Sequence, residues 1–300
     1  MENKPSRSFS RWRRKSTPYL MLAPIMAFLV AFMFGPILYA LWMSFWRWSL
    51  VGGGIRFLGL TNYINAISQP RFIRSLTNST YYVLATVVFA IPISLFIAVA
   101  LNGIISRRLR TVFTALYFLP IVTSMVAASI VWRHMYHPGA GVINFFLGKL
   151  GIPAQGWTAD PGQAMLAIVI MAIWKNLGFS VVIFLAALQG IPSIFYEAAR
   201  IDGASKWAIF RRITFPLLQP ASLFILVTSV IWGFQIFAPV MLMTEGGPGD
   251  SSYVLGYYIY QEAFAFDRMG YAAALAFSMF VILIVVTIVQ LRGLAKKWQY

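Results

Sequence analysis

The sequence predicts an all-α integral membrane protein of six transmembrane helices, and three observations predict it. Of 300 residues, 60% are hydrophobic and only 11% are charged. Six apolar stretches are long enough to span a bilayer. The basic clusters fall in alternate gaps between those stretches. A soluble domain of this size carries about 25% charged residues, so too few charges remain to cover a water-facing surface. Mean hydropathy is +0.75.

A spanning helix needs about 20 apolar residues. The six stretches run over 19–46, 80–101, 112–132, 164–188, 221–243 and 271–291. The first follows a basic N-terminus but exceeds the roughly 7–15 apolar residues of a signal-peptide core, so it reads as a retained span. An even number of spans puts both termini on one side. Lys4, Arg7, Arg11, Arg13, Arg14 and Lys15 precede the first span, and Arg107, Arg108 and Arg110 follow the second. Arg200, Lys206, Arg211 and Arg212 follow the fourth, and Arg292, Lys296 and Lys297 follow the sixth. All four clusters share a side, which the positive-inside rule makes cytoplasmic. Asp160, Glu245, Asp250, Glu262 and Asp267 lie opposite. The chain thus divides into a cytoplasmic basic segment 1–18, a membrane domain 19–292 and a cytoplasmic tail 293–300. Long outer loops are expected over 48–79, 133–163 and 244–270, and one long inner loop over 189–220.

The net charge of +16 does not point to nucleic acid. Its bases sit in short clusters between spans rather than in a stripe on a polar background. With no cysteine, disulfides, thiolate metal sites and cysteine nucleophiles are excluded. His134 and His137 lie three apart, but a metal centre needs a third ligand and none is nearby. They read as interfacial or loop-packing residues. The Gly52–Gly54 and Gly246–Gly247 runs lack the Gly-Lys-Ser/Thr that opens a phosphate-binding helix, so no ATP hydrolysis is expected on this chain.

The inner loop carries the most information. Pro192 ends the fourth span, and Ser193 is an N-cap candidate for a short helix to Ile201. Asp202 and Gly203 stop that helix, since glycine takes the left-handed position after a helix end. Ser205 caps a second short helix, which Pro216 is expected to terminate. Ala198 and Ala199 leave the first helix smooth. Trp207, Phe210 and Ile213 give the second an apolar stripe. On these grounds the pair is either an interfacial helix hairpin on the headgroups or a docking element for a partner.

Glu197-Ala198-Ala199, then Gly203, then Ile213 and Pro216 resembles the loop motif of permease subunits of bacterial ATP-binding-cassette importers. Phe215 stands where that motif has Leu. Phe57–Tyr63, Leu119-Pro120, Trp132–Asn144, Thr244–Gly249 and Tyr260–Phe264 extend the likeness to the sugar-type permeases, those for oligosaccharides and glycerol-phosphate compounds. The Gly-Gly-Pro segment is similar to the larger permease of the maltose-type pair, without its extra N-terminal helices. The resemblance implies a type I importer permease fold with a cytoplasmic coupling helix between spans four and five, inside the loop 190–218. It implies a second, homologous permease, two ATPase subunits that carry ATP and magnesium, and an extracytoplasmic solute-binding protein. It implies that Glu197, Ala198, Ala199, Asp202 and Gly203 couple the permease to the ATPase, joined by the apolar Trp207 and Phe210. Localisation in the bacterial inner membrane follows.

Polar groups within a span usually face a cavity or another helix. Lys175 and Asn176 lie in the fourth span. Ser229, Trp232 and Gln235 recur every three residues in the fifth, on roughly one face. A sugar site wants amides or hydroxyls for its hydroxyl groups and an aromatic plate for its ring, and Trp232 with Gln235 offers both. The resemblance to maltose-type permeases implies Leu177, Gly178, Val181, Ser229, Trp232, Gly233 and Ile236 as path positions, several without the polar group of that system. The predicted path is therefore Asn176, Gly178, Ser229, Trp232 and Gln235. Lys175 could instead snorkel to an interface. A self-contained secondary transporter or channel would show carboxylates within its spans, whereas all eight acids here lie in loops or near helix ends. A membrane-embedded enzyme would show a catalytic cluster within the spans, and there is none.

Overall fold

The computed structural model describes residues 7–50, 52 and 54–294. Lys4 of the basic segment and Lys296 and Lys297 of the tail lie outside the described residues. In chain order the helices are α1 (Arg7–Leu29), α2 (Gly35–Met43), α3 (Thr61–Ser68), α4 (Pro70–Asn102), α5 (Arg107–Val122), α6 (Met125–Met135), α7 (Val142–Lys149), α8 (Ala164–Gln189), α9 (Ser193–Ile201), α10 (Lys206–Ile209), α11 (Phe215–Leu217), α12 (Gln219–Phe234), α13 (Ala238–Met243), α14 (Leu255–Tyr260) and α15 (Met269–Leu294). A two-stranded hairpin pairs β1 (Trp46–Arg47) with β2 (Arg56–Phe57), Trp46 opposite Phe57. Four helical segments are long and apolar enough to cross a membrane: Pro18–Met43, Pro70–Asn102, Ala164–Gln189 and Met269–Gly293. Two bent pairs, Arg107–Val122 with Met125–Met135 and Lys206–Leu217 with Gln219–Phe234, bring the total to six when each pair is one span.

Several predicted boundaries move, each for a backbone reason. The second span begins at Pro70, ten residues before position 80, because proline presets the φ of a first helical turn and sacrifices no bond there. The third span bends by 93° at Thr123–Ser124. Pro120 lies in the last turn of α5 and has no N–H for the ladder. The fifth span ends at Phe234 rather than at 243. Pro239 cannot donate to the carbonyl of Gln235 four residues back, and α13 begins as a separate helix. Within the inner loop, Ser193 is the first residue of α9 and Pro192 its cap, with no side-chain capping bond. Pro216 does not end the second short helix. A π-helical turn over Phe210–Thr214 precedes it, and the helix continues through Leu217. The same device recurs at Val30–Phe34 before Pro36. In both places the widened turn lets the chain absorb a proline that would otherwise break the helix.

The chain forms two compact units. One gathers the N-terminal part as far as Ala66 with Glu262–Phe277. Side-chain hydrogen bonds gather at the foot of α2. Asn62 donates to the carbonyls of Ser44 at 2.8 Å and Trp46 at 3.1 Å. The Ser44 and Tyr63 hydroxyls lie 2.6 Å apart. Asp267 accepts from the Leu50 amide at 2.6 Å and from the Ser49 hydroxyl. Gly270 sits against the backbone of Trp46, where a Cβ would collide with the carbonyl oxygen.

The other unit comprises Ile67–Gln261 and the chain from Ser278 onward. Its axis is α8, which packs against α4, α5 and α12. Ala98 and Leu101 of α4, Val181, Phe184, Leu185 and Leu188 of α8, and Leu218 and Ile225 around the start of α12 form one buried cluster. Close approach depends on small residues. Gly178 presses on the Tyr117–Phe118 backbone of α5, and Gly233 of α12 on Val83 of α4. The segment after α13 is tied to α4. Asn78 donates to the carbonyls of Asp250 at 2.9 Å and Tyr253 at 3.0 Å, and the Leu255 amide donates to Ser79 Oγ at 2.9 Å.

Gly178→Val forces α5 and α8 apart, with an expected loss of about 1–3 kcal/mol. Thermal unfolding of the purified protein in detergent should fall by several degrees. Gly148→Ala lies in α7, where an added Cβ meets nothing within 4 Å, and should melt no lower than the parent.

Candidate functional site

Between α4, α6, α8 and α12 lies a cavity of about 440 Å³. Asn176, Ser229, Trp232 and Gln235 all line it. The fourth span presents Asn176 through its turn facing α4 and α12, and the amide donates to the Ala172 carbonyl at 2.9 Å. That bond fixes the side chain and leaves its oxygen free to accept. Ser229 and Trp232 come from α12. Gln235 is not on a continuous helical face with them, since it is the residue at which α12 stops. The break swings it into the cavity wall beside Ile236 and Phe237. The Trp232 ring is 52% exposed and lies 5.1 Å from that of Phe179. Together they make an aromatic plate next to an amide and a hydroxyl.

Gly178, named as a path residue, does not line the cavity. Its face of α8 is spent on contact with α5, and the protein needs its lack of a side chain for packing. Leu177 and Val181 likewise face the apolar core. Gly233 and Ile236 do line the cavity. Sequence reasoning missed Tyr82 and Thr86 of α4, Ser180 and Phe179 of α8, and Met125 at the start of α6. Tyr82 and Thr86 are four residues apart within an apolar span, a spacing that puts both on one face and that was available as a signal.

Lys175 neither snorkels nor lines the cavity. It is 3% exposed, and its Nζ donates to the Ile121 carbonyl at 2.9 Å. Ile121 belongs to the last turn of α5, where carbonyls lose their helical partners. The lysine thus caps the helix end created by the bend in the third span, a position that also favours a cation electrostatically. Arg133 does similar work at the end of α13, donating to the Leu242 carbonyl at 3.3 Å. His137 Nδ1 accepts from the amides of Gly139 and Ala140 at 3.2 and 3.1 Å, stabilising the turn after α6.

The inner loop is a helix–turn–helix with a fully bonded turn. Gly203 has φ +73. Its amide donates to the Arg200 carbonyl at 3.1 Å, and the Ala204 amide reaches the Ala199 carbonyl at 2.9 Å. These are the two bonds of a Schellman motif, which closes a helix end without solvent. Ser205 Oγ accepts from the Ala208 amide at 3.2 Å and starts the next helix. The Tyr196 hydroxyl lies 3.3 Å from that of Thr214, bracing the two helices. Glu197, Ala198, Asp202 and Gly203 are exposed and Ala199 is half-buried. Trp207, 68% exposed, stacks on Phe210 with ring centroids 5.6 Å apart. Ile194, Phe195 and Ile201 are exposed as well. The result is a rigid edge that is apolar and basic at once.

Residues 90–292 match the family described as binding-protein-dependent transport system inner membrane component. The chain is 35% identical over 291 residues to the arabinooligosaccharides transport system permease protein AraP of Bacillus subtilis, covering 94% of this chain and 91% of that protein. It is 31% identical over 290 residues to the sn-glycerol-3-phosphate transport system permease protein UgpA of Pectobacterium atrosepticum, covering 96% and 97%. Among solved structures it resembles a chain of a bacterial alginate ABC transporter, crystallised in complex with an alginate pentasaccharide-bound periplasmic protein. The TM-score is 0.83, with 22% identity and 96% of each chain covered. That likeness speaks to the fold.

Lys175→Met removes the cap and strands the Ile121 carbonyl in an apolar setting. The expected cost is about 1–3 kcal/mol, read as a lowered melting temperature in detergent. Asn144→Ala would not report on this bond, so the shift should be additive with it in the double variant.

Proposed function

We propose that this chain, which belongs to the family of binding-protein-dependent transport system inner membrane components, forms with a second permease the translocation path for a carbohydrate or related solute. It is a transport subunit and not an enzyme. The solute class is a sugar, oligosaccharide, polyol or glycerol-phosphate compound. The names of the relatives, arabinooligosaccharide and glycerol-3-phosphate permeases, support that range. The aromatic plate of Trp232 and Phe179 beside Gln235 and Asn176 suits a ring with hydroxyl groups. The substrate path in this reading is Asn176, Ser229, Trp232 and Gln235, joined by Tyr82 and Thr86.

The observation that carries the reading is the inner loop. A short helix closed by a Schellman turn and followed at once by a capped helix is stiff. Stiffness is what a lever needs when force is generated outside the membrane. Two ATPase subunits, holding ATP and magnesium, dock on Glu197, Ala198, Ala199, Asp202, Gly203, Trp207 and Phe210 and the matching loop of the partner permease. Ile201 and Trp207 stand exposed on that edge and gain cover in such a complex. An extracytoplasmic solute-binding protein delivers substrate to the opposite face. Both termini lie in the cytoplasm, with segment 1–18 before the membrane domain 19–292 and the tail 293–300 after it. The basic clusters support this orientation, and the location is the bacterial inner membrane.

The test is to tag the chain in its native host, solubilise it in mild detergent and identify what co-purifies by mass spectrometry. A second permease and an ATPase in comparable amounts are expected. A chain that emerges alone, folded and monodisperse overturns the reading and favours a self-contained transporter. Within the complex, Gly203→Val forces a β-branched residue into the left-handed region at a cost of about 1–2 kcal/mol or more. Substrate-dependent ATP hydrolysis should drop at least several-fold while expression stays normal. Full transport in that variant would remove the loop from the mechanism.

A further inference from the structure

A second concavity, of about 670 Å³, runs along the groove between α5 and α8, away from the solute cavity. Arg107, Arg110, Thr111, Thr114, Ala115 and Phe118 form one wall. They recur at intervals of three and four residues and so make a single stripe of α5. Gln189, Leu185 and Val182 of α8 form the other wall, at the same spacing.

Both stripes change character in the same direction. At one end Arg107 and Arg110 face Gln189. At the helical rise of 1.5 Å per residue, Phe118 lies about 16 Å along α5 and Val182 about 10 Å along α8 from that end. The two threonines between do not make the middle polar. Thr111 donates its hydroxyl to the Arg107 carbonyl at 2.9 Å and Thr114 to the Arg110 carbonyl at 2.8 Å. Their donors are consumed by the helix, and their methyl groups remain for the groove. No carboxylate lines the groove, and no salt bridge among the described residues involves Arg107 or Arg110. A cleft with two uncompensated guanidiniums at its head and an apolar trough below has the polarity of one molecule above all, a phospholipid with an anionic headgroup.

We infer that the α5–α8 groove is a binding site for an anionic phospholipid, its phosphate held by Arg107 and Arg110 and one acyl chain laid along Ala115, Phe118, Val182 and Leu185. Gln189 donates to the glycerol or ester oxygens. The arginines lie at the end of α5 beside the loop from α4, so the lipid belongs to the leaflet on that side. The leaflet is cytoplasmic in the orientation proposed above. The site itself stands whichever side that is. Gly178 and Lys175 bind α5 to α8 at and beyond the apolar end of the groove, and the occupant braces the remaining half of α5, toward the arginines.

The experiment is native mass spectrometry of the protein with whatever co-purifies, after exchange into mild detergent with added palmitoyl-oleoyl phosphatidylglycerol or, in parallel, palmitoyl-oleoyl phosphatidylcholine. Wild type should retain phosphatidylglycerol over phosphatidylcholine by about 30-fold, since each surface arginine contributes a factor of about five toward an anionic lipid. Arg107→Ala with Arg110→Ala should lose that preference, whereas Arg108→Ala, whose side chain is outside the groove, should keep it. Removing basic residues beside a span can also disturb insertion. Ala115→Trp therefore provides a second arm. It keeps every charge, replaces an exposed small residue and fills the trough, and it should lower retention of phosphatidylglycerol to the level of phosphatidylcholine. Equal retention of the two lipids by wild type overturns the site, as does unchanged phosphatidylglycerol retention in Ala115→Trp. Neither result bears on whether an ATPase co-purifies, so this site and the importer reading fail separately.

Discussion

Within hydrocarbon no water is present to satisfy a backbone N–H or C=O, and a helix that breaks there must find other partners for its open ends. This chain bends two of its six candidate spans and ends the second of these early, at Phe234. Much of its architecture follows from how the open helix ends are closed. At the 93° bend the buried ammonium of Lys175 takes the Ile121 carbonyl. At the 59° bend the ladder is kept by the backbone itself, with Leu218 donating to Thr214 and accepting from Ser222. At α13 the guanidinium of Arg133 takes the Leu242 carbonyl. The two side-chain closures join elements distant in sequence, so those helix ends also fix a tertiary contact.

The cavity between α4, α6, α8 and α12 is a product of those breaks. Met125 reaches it because α6 departs from the line of α5, and Gln235 and Phe237 reach it because α12 stops at Phe234. Unbroken helices would have placed these side chains at other angles. The continuous members, α4 and α8, supply Tyr82, Thr86, Asn176 and Phe179 from stable faces. The core cluster around Phe184 and Val181 lies apart from the lining residues of the cavity.

Charge and apolarity divide the remaining surface into tasks. The inner loop combines exposed Ile201 and Trp207 with exposed Arg211 and Arg212, a mixture suited to a protein partner. The α5–α8 groove instead separates its cations from its apolar trough along one axis, which suits a lipid. The basic clusters are thus assigned, under the two proposals, to two kinds of neighbour.

Much was legible in the residues alone. Hydrophobic run lengths gave the number of spans, because the bilayer sets a fixed length. The spacing of Glu197, Gly203 and Pro216 gave the inner loop, because a left-handed helix end admits few residues other than glycine. Asn176, Ser229, Trp232 and Gln235 stood out as polar groups in apolar runs, and all four line one cavity. What the residues could not give was direction around each helix axis. Gly178 and Lys175 lie within three positions of Asn176, yet they face α5 and not the cavity. Prolines were equally ambiguous. Pro216 reads as a stop, but a π-helical turn before it carries the helix onward, while Pro239, placed one turn beyond Gln235, does break its span. A sequence states which backbone groups are missing. Only the packed tertiary structure decides which neighbour makes up the loss, because that neighbour comes from a helix tens of residues away.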